Sequence, residues 1–312
     1  MKSKFIQFEL WKDCNNNCPF CFNRGQVVTL SKLKSLSIVK DFIKSDRFNN
    51  CEEFSIIGGE FFDNQLDNDQ VNSSFYDLFH ILSGIEKIKK VYITSSLIFD
   101  ISKHLIPFLD KMKELKMLDK IYICTSYDTS YRFRNEKDLE SWKQNMLWLR
   151  NHGISTHVQA ILTQDFINKV LSDEFKIKEF CNTYKTSLDY NEPLIGSYTG
   201  TYYKSKQEMN KDLPLFFPTK NSFIKFVAKT CIKERSINPK TFLTMLLRSD
   251  ELYMIDGDKF VKSSDRKCTT CSDIIEELKK KDKTIKDGIG FIDSDELMLN
   301  IVEQVLEMNG DF

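Results

Sequence analysis

Residues 5–21 read FIQFELWKDCNNNCPFC. A β-favouring apolar run at 5–10 leads straight into a polar loop that carries Cys14, Cys18 and Cys21. Three residues and then two separate the successive thiols. Thiolates are soft ligands that suit zinc and iron–sulfur clusters. A four-iron cluster normally takes four cysteines, and a zinc knuckle completes its tetrahedron with a second Cys-x-x-Cys or a His pair. This loop offers three thiols and no histidine, and the other Cys-x-x-Cys, Cys268 with Cys271, lies far along the chain. A three-thiol set leaves one iron of a cluster open to a substrate or cofactor. The plain alternatives are a zinc knuckle or unrelated buried thiols.

Outward from this loop the chain alternates strand-like and helical segments. Residues 54–57 form an apolar run that ends in Gly58-Gly59-Glu60, and 91–94, 121–124, 154–163 and 186–190 are further strand-like runs. Helical stripes separate them: Leu33, Leu36, Val39, Phe42 and Ile43 in the first; Phe75, Leu78, Phe79, Leu82 and Ile85 in the second. A third stripe covers residues 105–115, with Asp100 placed to cap it. A fourth covers 139–149, closed by Gly153, and a fifth covers 166–180. Six βα units imply a parallel sheet with right-handed crossovers. The pattern alone allows a doubly wound sheet or a fragment of a full barrel. In either, ligands gather at the carboxyl ends of the strands, where the cysteine loop falls.

Cys14-x-x-x-Cys18-x-x-Cys21 after a strand, with Phe20 directly before the third cysteine, resembles the cluster loop of the radical S-adenosylmethionine (SAM) superfamily. The resemblance implies an α/β fold, a partial (β/α)6 barrel of parallel strands over residues 1–195. A connecting or substrate loop at 196–219 and a small C-terminal α+β appendage at 220–312 would follow. It implies that Cys14, Cys18 and Cys21 hold three irons of a 4Fe-4S cluster and that S-adenosyl-L-methionine chelates the fourth. Reductive cleavage of SAM then gives a 5′-deoxyadenosyl radical that abstracts hydrogen from a substrate. No catalytic side chain is singled out.

Gly58-Gly59-Glu60 resembles the Gly-Gly-Glu-Pro motif of that superfamily, which meets the SAM amino group, with Phe61 in place of the proline. Paired glycines let a backbone approach a cation closely. Ser126, in Thr125-Ser126-Tyr127-Asp128, is followed by Arg132 and Arg134, similar to a Ser-x-Asp segment with a trailing arginine that addresses the SAM ribose or carboxylate. A guanidinium fork matches a carboxylate, and the sequence does not choose between the two arginines. Gln159 is a further SAM-contact candidate on the fifth strand. Taken without the resemblance, these residues read as a turn, a polar loop and a barrel polar group.

Cys231 with Cys268 and Cys271 resembles the short twitch or SPASM auxiliary-cluster appendages. The set allows one three-cysteine auxiliary iron–sulfur cluster, or zinc completed by an acid or a histidine. Residues 252–261 read as a hairpin turning at Asp256-Gly257, and 223–232, 241–247, 274–281 and 296–308 as helices. Cys51, Cys124 and Cys181 fit buried strand or helix positions. The four histidines, His80, His104, His152 and His157, form no sequence pairing that suggests a nucleophile–base constellation.

Composition bounds the reading. The chain has 312 residues, 41% hydrophobic and 12% aromatic, with 45 basic and 45 acidic residues. That balance describes a packed protein with no global pull toward nucleic acid or anionic lipid. No membrane span or secretion signal is evident. Nine cysteines, an odd number without a signal peptide, argue against a disulfide framework and for a cytoplasmic setting. The expected partners are a peptide or small-molecule substrate and a reductant such as flavodoxin or ferredoxin, with long nucleic acid disfavoured. Two rival readings stand: a radical SAM enzyme acting on nucleotides or nucleic acid, and a non-catalytic zinc- or cluster-binding scaffold.

Overall fold

Each strand of the main sheet pairs in parallel with the strand that follows it along the chain. The computed structural model describes residues 5–16, 18–21, 31–191, 206–237, 253–256 and 259–262. The order is β1 (Phe5–Glu9), α1 (Lys32–Ile43), β2 (Glu53–Ile57), α2 (Asp69–Ser83), β3 (Lys90–Thr94), α3 (Leu105–Glu114), β4 (Ile121–Tyr127) and α4 (Glu136–Asn151). It continues with β5 (Ser155–Ile161), α5 (Gln164–Leu171), α6 (Ile177–Tyr184) and β6 (Ser187–Asn191). A doubly wound sheet reverses its strand order partway. The order here never reverses, which makes the sheet a singly wound partial (β/α)6 barrel.

Alternation along the strands separates two faces. Ile6, Phe8, Phe54, Ile56, Val91, Ile93, Ile121, Ile123 and Val158 are buried against the helices. Phe8 meets Phe42 of α1 edge-on at 5.2 Å, and Trp142 of α4 donates its indole N–H to Thr125 Oγ1 at 3.1 Å. Gln7, Ser55, Tyr92, Tyr122, Cys124, His157 and Gln159 alternate with those residues and so lie on the concave face, within the barrel. That face is polar, which suits a wall that receives a ligand.

Helix ends follow local chemistry. Ser31, Asn68, Asn135 and Thr163 each accept a first-turn N–H of the helix that follows. Asp100 was expected to cap α3. Instead its carboxylate accepts the N–H of Ser102 at 2.9 Å in the preceding turn, and α3 starts after His104 with no side-chain cap. Leu33, assigned to the apolar stripe of α1, is 38% exposed, because the buried stripe runs through Leu36, Val39, Phe42 and Ile43. The single helix read over 166–180 is two, α5 and α6. Asp173 adopts φ +65° between them, and Lys229 Nζ binds the freed carbonyls of Val170 and Leu171. Gly153 follows α4 with φ +69°, as a C′ glycine should.

Beyond the barrel stand α7 (Lys206–Asp212), α8 (Lys220–Val227), a π turn (Ala228–Lys233) and an antiparallel hairpin of β7 (Tyr253–Asp256) and β8 (Lys259–Lys262). The predicted helices at 241–247, 274–281 and 296–308 lie outside the described residues, as do Cys268 and Cys271. No described helix is long and apolar enough to cross a membrane.

Candidate functional site

The loop that follows β1 is fastened to the loop that follows β2. Leu10 donates its N–H to Ile57, Gly59 to Trp11 at 2.7 Å, and Glu60 to Asp13 at 3.0 Å. The parallel ladder therefore runs on past both strands to the root of the cysteine loop. Only glycine permits this approach. A Cβ on Gly58 would stand 2.1 Å from the Trp11 carbonyl oxygen, and one on Gly59 would stand 1.8 Å from that of Asp13. Gly58 also holds φ +146°. Phe61, the departure from the expected proline, is fully buried and meets the Trp11 ring edge-on at 4.9 Å. An aromatic wedge thus steadies the loop root.

Within the loop, Cys21 donates its N–H to the Cys18 carbonyl at 3.1 Å, closing a turn over Pro19 and Phe20. Asn16 Nδ2 donates to Cys14 Sγ at 3.6 Å, and Asn15 Nδ2 to Asp63 at 2.6 Å. Burial pushes the Cys14 thiol up to about 11 against a hydrogen bond from Asn16, and the negative charges of Glu60, Cys18 and Cys21 add to the rise, although the residue reaches solvent. None of the three cysteines is in a disulfide. Among the described residues, no group of three or more His, Cys, Asp or Glu side chains is drawn close enough to hold an ion. The chemistry of the donor set, three soft sulfurs on one short loop with an amide directed at the first, fits an iron–sulfur group.

Glu60 is buried, and its carboxylate is already well satisfied. It accepts from Ser95 Oγ at 3.0 and 3.2 Å, from the Ser96 N–H at 2.5 Å and from the Phe62 N–H at 3.1 Å. Burial raises its pKa against those bonds. The side chain thereby ties the end of β2 to the end of β3, a role that the Gly-Gly-Glu pattern does not announce.

The loop after β4 supplies a second cluster of polar groups. Asp128 is fully buried, and its Oδ1 accepts the N–H groups of Ser130 and Tyr131 at 2.6 and 2.7 Å. Its Oδ2 is buried without a partner, and so is Nε of Arg132. An orphaned acceptor and an orphaned donor in the one loop after β4 ask for a polar ligand. Burial raises the Asp128 pKa against those N–H bonds, and the Arg132 charge also opposes the rise. The Arg132 guanidinium lies over the Phe20 ring at 5.8 Å, so it borders the cysteine loop. Arg134 does not. Its guanidinium is engaged by Asp138 at 2.8 and 3.2 Å at the start of α4, and 56% of its side chain is exposed.

Ser126, Gln159 and Asp189 are register partners across β4, β5 and β6 on the concave face. The segment after the barrel closes over this end. Phe216, 1% exposed, stacks on Phe20 at 5.4 Å and meets Tyr131 edge-on at 5.8 Å. Cys231 stands apart in the π turn, 1% exposed, with burial pushing its thiol up to about 12. Phe216 was not singled out from the sequence, whereas Asp128 was legible as the acid of the Ser-x-Asp segment and Ser95-Ser96 as the polar end of the third strand.

The described geometry agrees with comparison to known proteins. A family model for the radical SAM superfamily matches residues 8–168, more than half of the chain. The fold is similar to that of SuiB from Streptococcus suis bound to S-adenosylmethionine, with TM-score 0.52 and 12% identity over 81% of this chain and 58% of that one. Two further similarities are weaker: anSMEcpe with bound AdoMet and Cp18Cys peptide (TM-score 0.48, 13% identity, 72% of this chain and 58% of that one) and SuiB bound to precursor peptide SuiA (TM-score 0.48, 13% identity, 96% and 70%). The chain thus spans 58% of the length of the first two of these structures. No curated protein matches the sequence. With more than half of its length matched by the family model, the cysteine loop included, the chain belongs to the radical SAM superfamily of enzymes.

Proposed function

We propose that Cys14, Cys18 and Cys21 hold a 4Fe-4S cluster and that SAM binds along the carboxyl ends of β1 to β5. The hydrogen donor would be a peptide or small-molecule substrate on the concave face, and flavodoxin or ferredoxin would serve as the reductant. When bound, the cluster and SAM together supply the radical that takes hydrogen from that substrate. The chain's own residues bind, orient and shield. Gly58 and Gly59 seat the thiol loop, Arg132 and Asp128 offer one donor and one acceptor to the polar groups of SAM, and Ser126 and Gln159 line the same wall. Phe20 and Phe216 cover it from water. Because the three thiols are not gathered in the described structure, ligation has to draw them together.

One observation carries this reading: the loop of three cysteines, pinned by Gly58–Glu60 at the carboxyl end of β1, falls inside the stretch matched by the family model. The test is anaerobic reconstitution with iron and sulfide, followed by dithionite and SAM. The expected products are methionine and 5′-deoxyadenosine, both lost when the three cysteines are replaced by alanine. Full iron and sulfide loading with no 5′-deoxyadenosine would reject the proposal. Zinc without iron in anaerobically purified protein would favour the scaffold reading.

A further inference from the structure

On the concave face, His157 of β5 stands between two residues of β6. Its Nδ1 lies 2.7 Å from Ser187 Oγ, and its Nε2 lies 2.9 Å from Asp189 Oδ2. Parallel register produces the set: His157 is opposite Ser187, and Gln159 is opposite Asp189. The imidazole and the carboxylate are each 19% exposed, while Ser187 is open to solvent.

Hydrogen-bond chemistry fixes the direction of the chain. A carboxylate only accepts, so the bond to Asp189 requires the proton on Nε2. Nδ1 of the neutral ring is then an acceptor, and Ser187 donates its hydroxyl proton to it. A carboxylate that holds an imidazole in one tautomer also stabilises the imidazolium that forms when the ring takes a proton. The arrangement orders a hydroxyl, a base and a counter-charge, with the hydroxyl at the solvent end. Cys124, the register partner of His157 on β4, is a buried thiol whose pKa burial pushes up to about 12, and the charge of Asp189 adds to that rise. It remains a neutral neighbour.

We infer that Ser187, His157 and Asp189 form a proton-accepting site for an O–H, N–H or S–H group of a substrate bound on the concave face. This inference rests on the function proposed above for the presence of a substrate there. In the step itself, the substrate group passes its proton to Ser187 Oγ as the Ser187 proton moves to Nδ1. The substrate is left as its anion and His157 as an imidazolium paired with Asp189. No electron is gained or lost. Ser187 is the group that touches the substrate, and Asp189 is a positioning residue that acts through the imidazole.

Diethyl pyrocarbonate tests this on the reconstituted full chain, because it reacts with an unprotonated imidazole nitrogen. Mass spectrometry reads each histidine separately, with His80, His104 and His152 as internal references for the fold. His157 is expected to be labelled, and Ser187→Ala to label it at least as fast, because Nδ1 is then uncovered. Asp189→Asn removes the counter-charge that favours the imidazolium, so more of the ring is unprotonated and open to the reagent. It should speed labelling of His157 several-fold in mildly acidic buffer and leave the reference histidines unchanged. The site is overturned if Asp189→Asn leaves the His157 rate as it was, or if His157 resists labelling in both the wild type and Ser187→Ala. Failure of the wild type to form 5′-deoxyadenosine would reject the functional reading and leave the labelling result standing.

Discussion

Asp128 holds Tyr131 by its backbone: Oδ1 accepts the Tyr131 N–H at 2.7 Å, while the second oxygen of the same carboxylate is buried without a partner. One oxygen shapes the loop and the other is left for something else. Asp128→Asn keeps an acceptor for the loop but turns the second position into a donor. The fold should survive, and SAM should bind more weakly by about 1–3 kcal/mol, the usual cost of a mismatched buried polar pair. Calorimetric titration of reconstituted protein with SAM reads this directly, and unchanged affinity would assign Asp128 to the loop alone.

Gly59→Ala puts a methyl group where the Asp13 carbonyl oxygen already stands. The two loops must part, at a cost of about 1–3 kcal/mol in stability, and iron uptake should fall with it. Gly153→Ala is the control. It strains a left-handed residue with open space around it, costs about 1–2 kcal/mol and should leave iron uptake intact. Thermal unfolding and iron per chain separate the two variants.

The two arginines after β4 should divide cleanly. Arg132→Ala should weaken SAM binding about tenfold or more, while Arg134→Met should not. Hydrogen bonds from Arg134 hold Asp138 below the ordinary carboxylate value. A depressed folded pKa adds stability that is fully present above the unfolded value and fades as pH falls through the folded one. Arg134→Met is therefore expected to lose no more than about 1 kcal/mol at neutral pH, since the pair is half open to water. Its urea unfolding free energy should converge on that of the wild type in acid. A gap that persists below the folded pKa of Asp138 would point to packing instead.

Phe216→Ala removes a buried ring that stacks on Phe20. A loss of about 3–5 kcal/mol is expected, along with weaker SAM binding because Phe20 also carries the Arg132 guanidinium. Phe216→Leu should recover most of the stability and less of the affinity. Paired melting and titration curves check the split.

Much of the barrel could be read in advance because its signals are local. The thiol spacing, the glycine pair and the apolar periodicities each lie within a few residues of sequence, and the strand order follows from six repeated βα units. Where long-range geometry decides, the sequence is silent. The Glu60 carboxylate finds Ser95 and Ser96 only once β2 and β3 lie side by side. Phe216 reaches Phe20 from beyond the barrel. The link from His157 to Ser187 and Asp189 depends on the register of β5 against β6, and a slip of one residue there would turn those side chains to the other face. The break at Asp173 was also hidden, since an aspartate in a left-handed turn looks from sequence like any polar helix residue.

The Glu60 carboxylate has a mechanical consequence. It couples the thiol loop, through the Asp13 carbonyl and its own side chain, to the serines that end β3, so three strand termini behave as one belt. A displacement of the Cys14 loop does not stop at the first strand. It is felt at Ser95 and Ser96, two strands along.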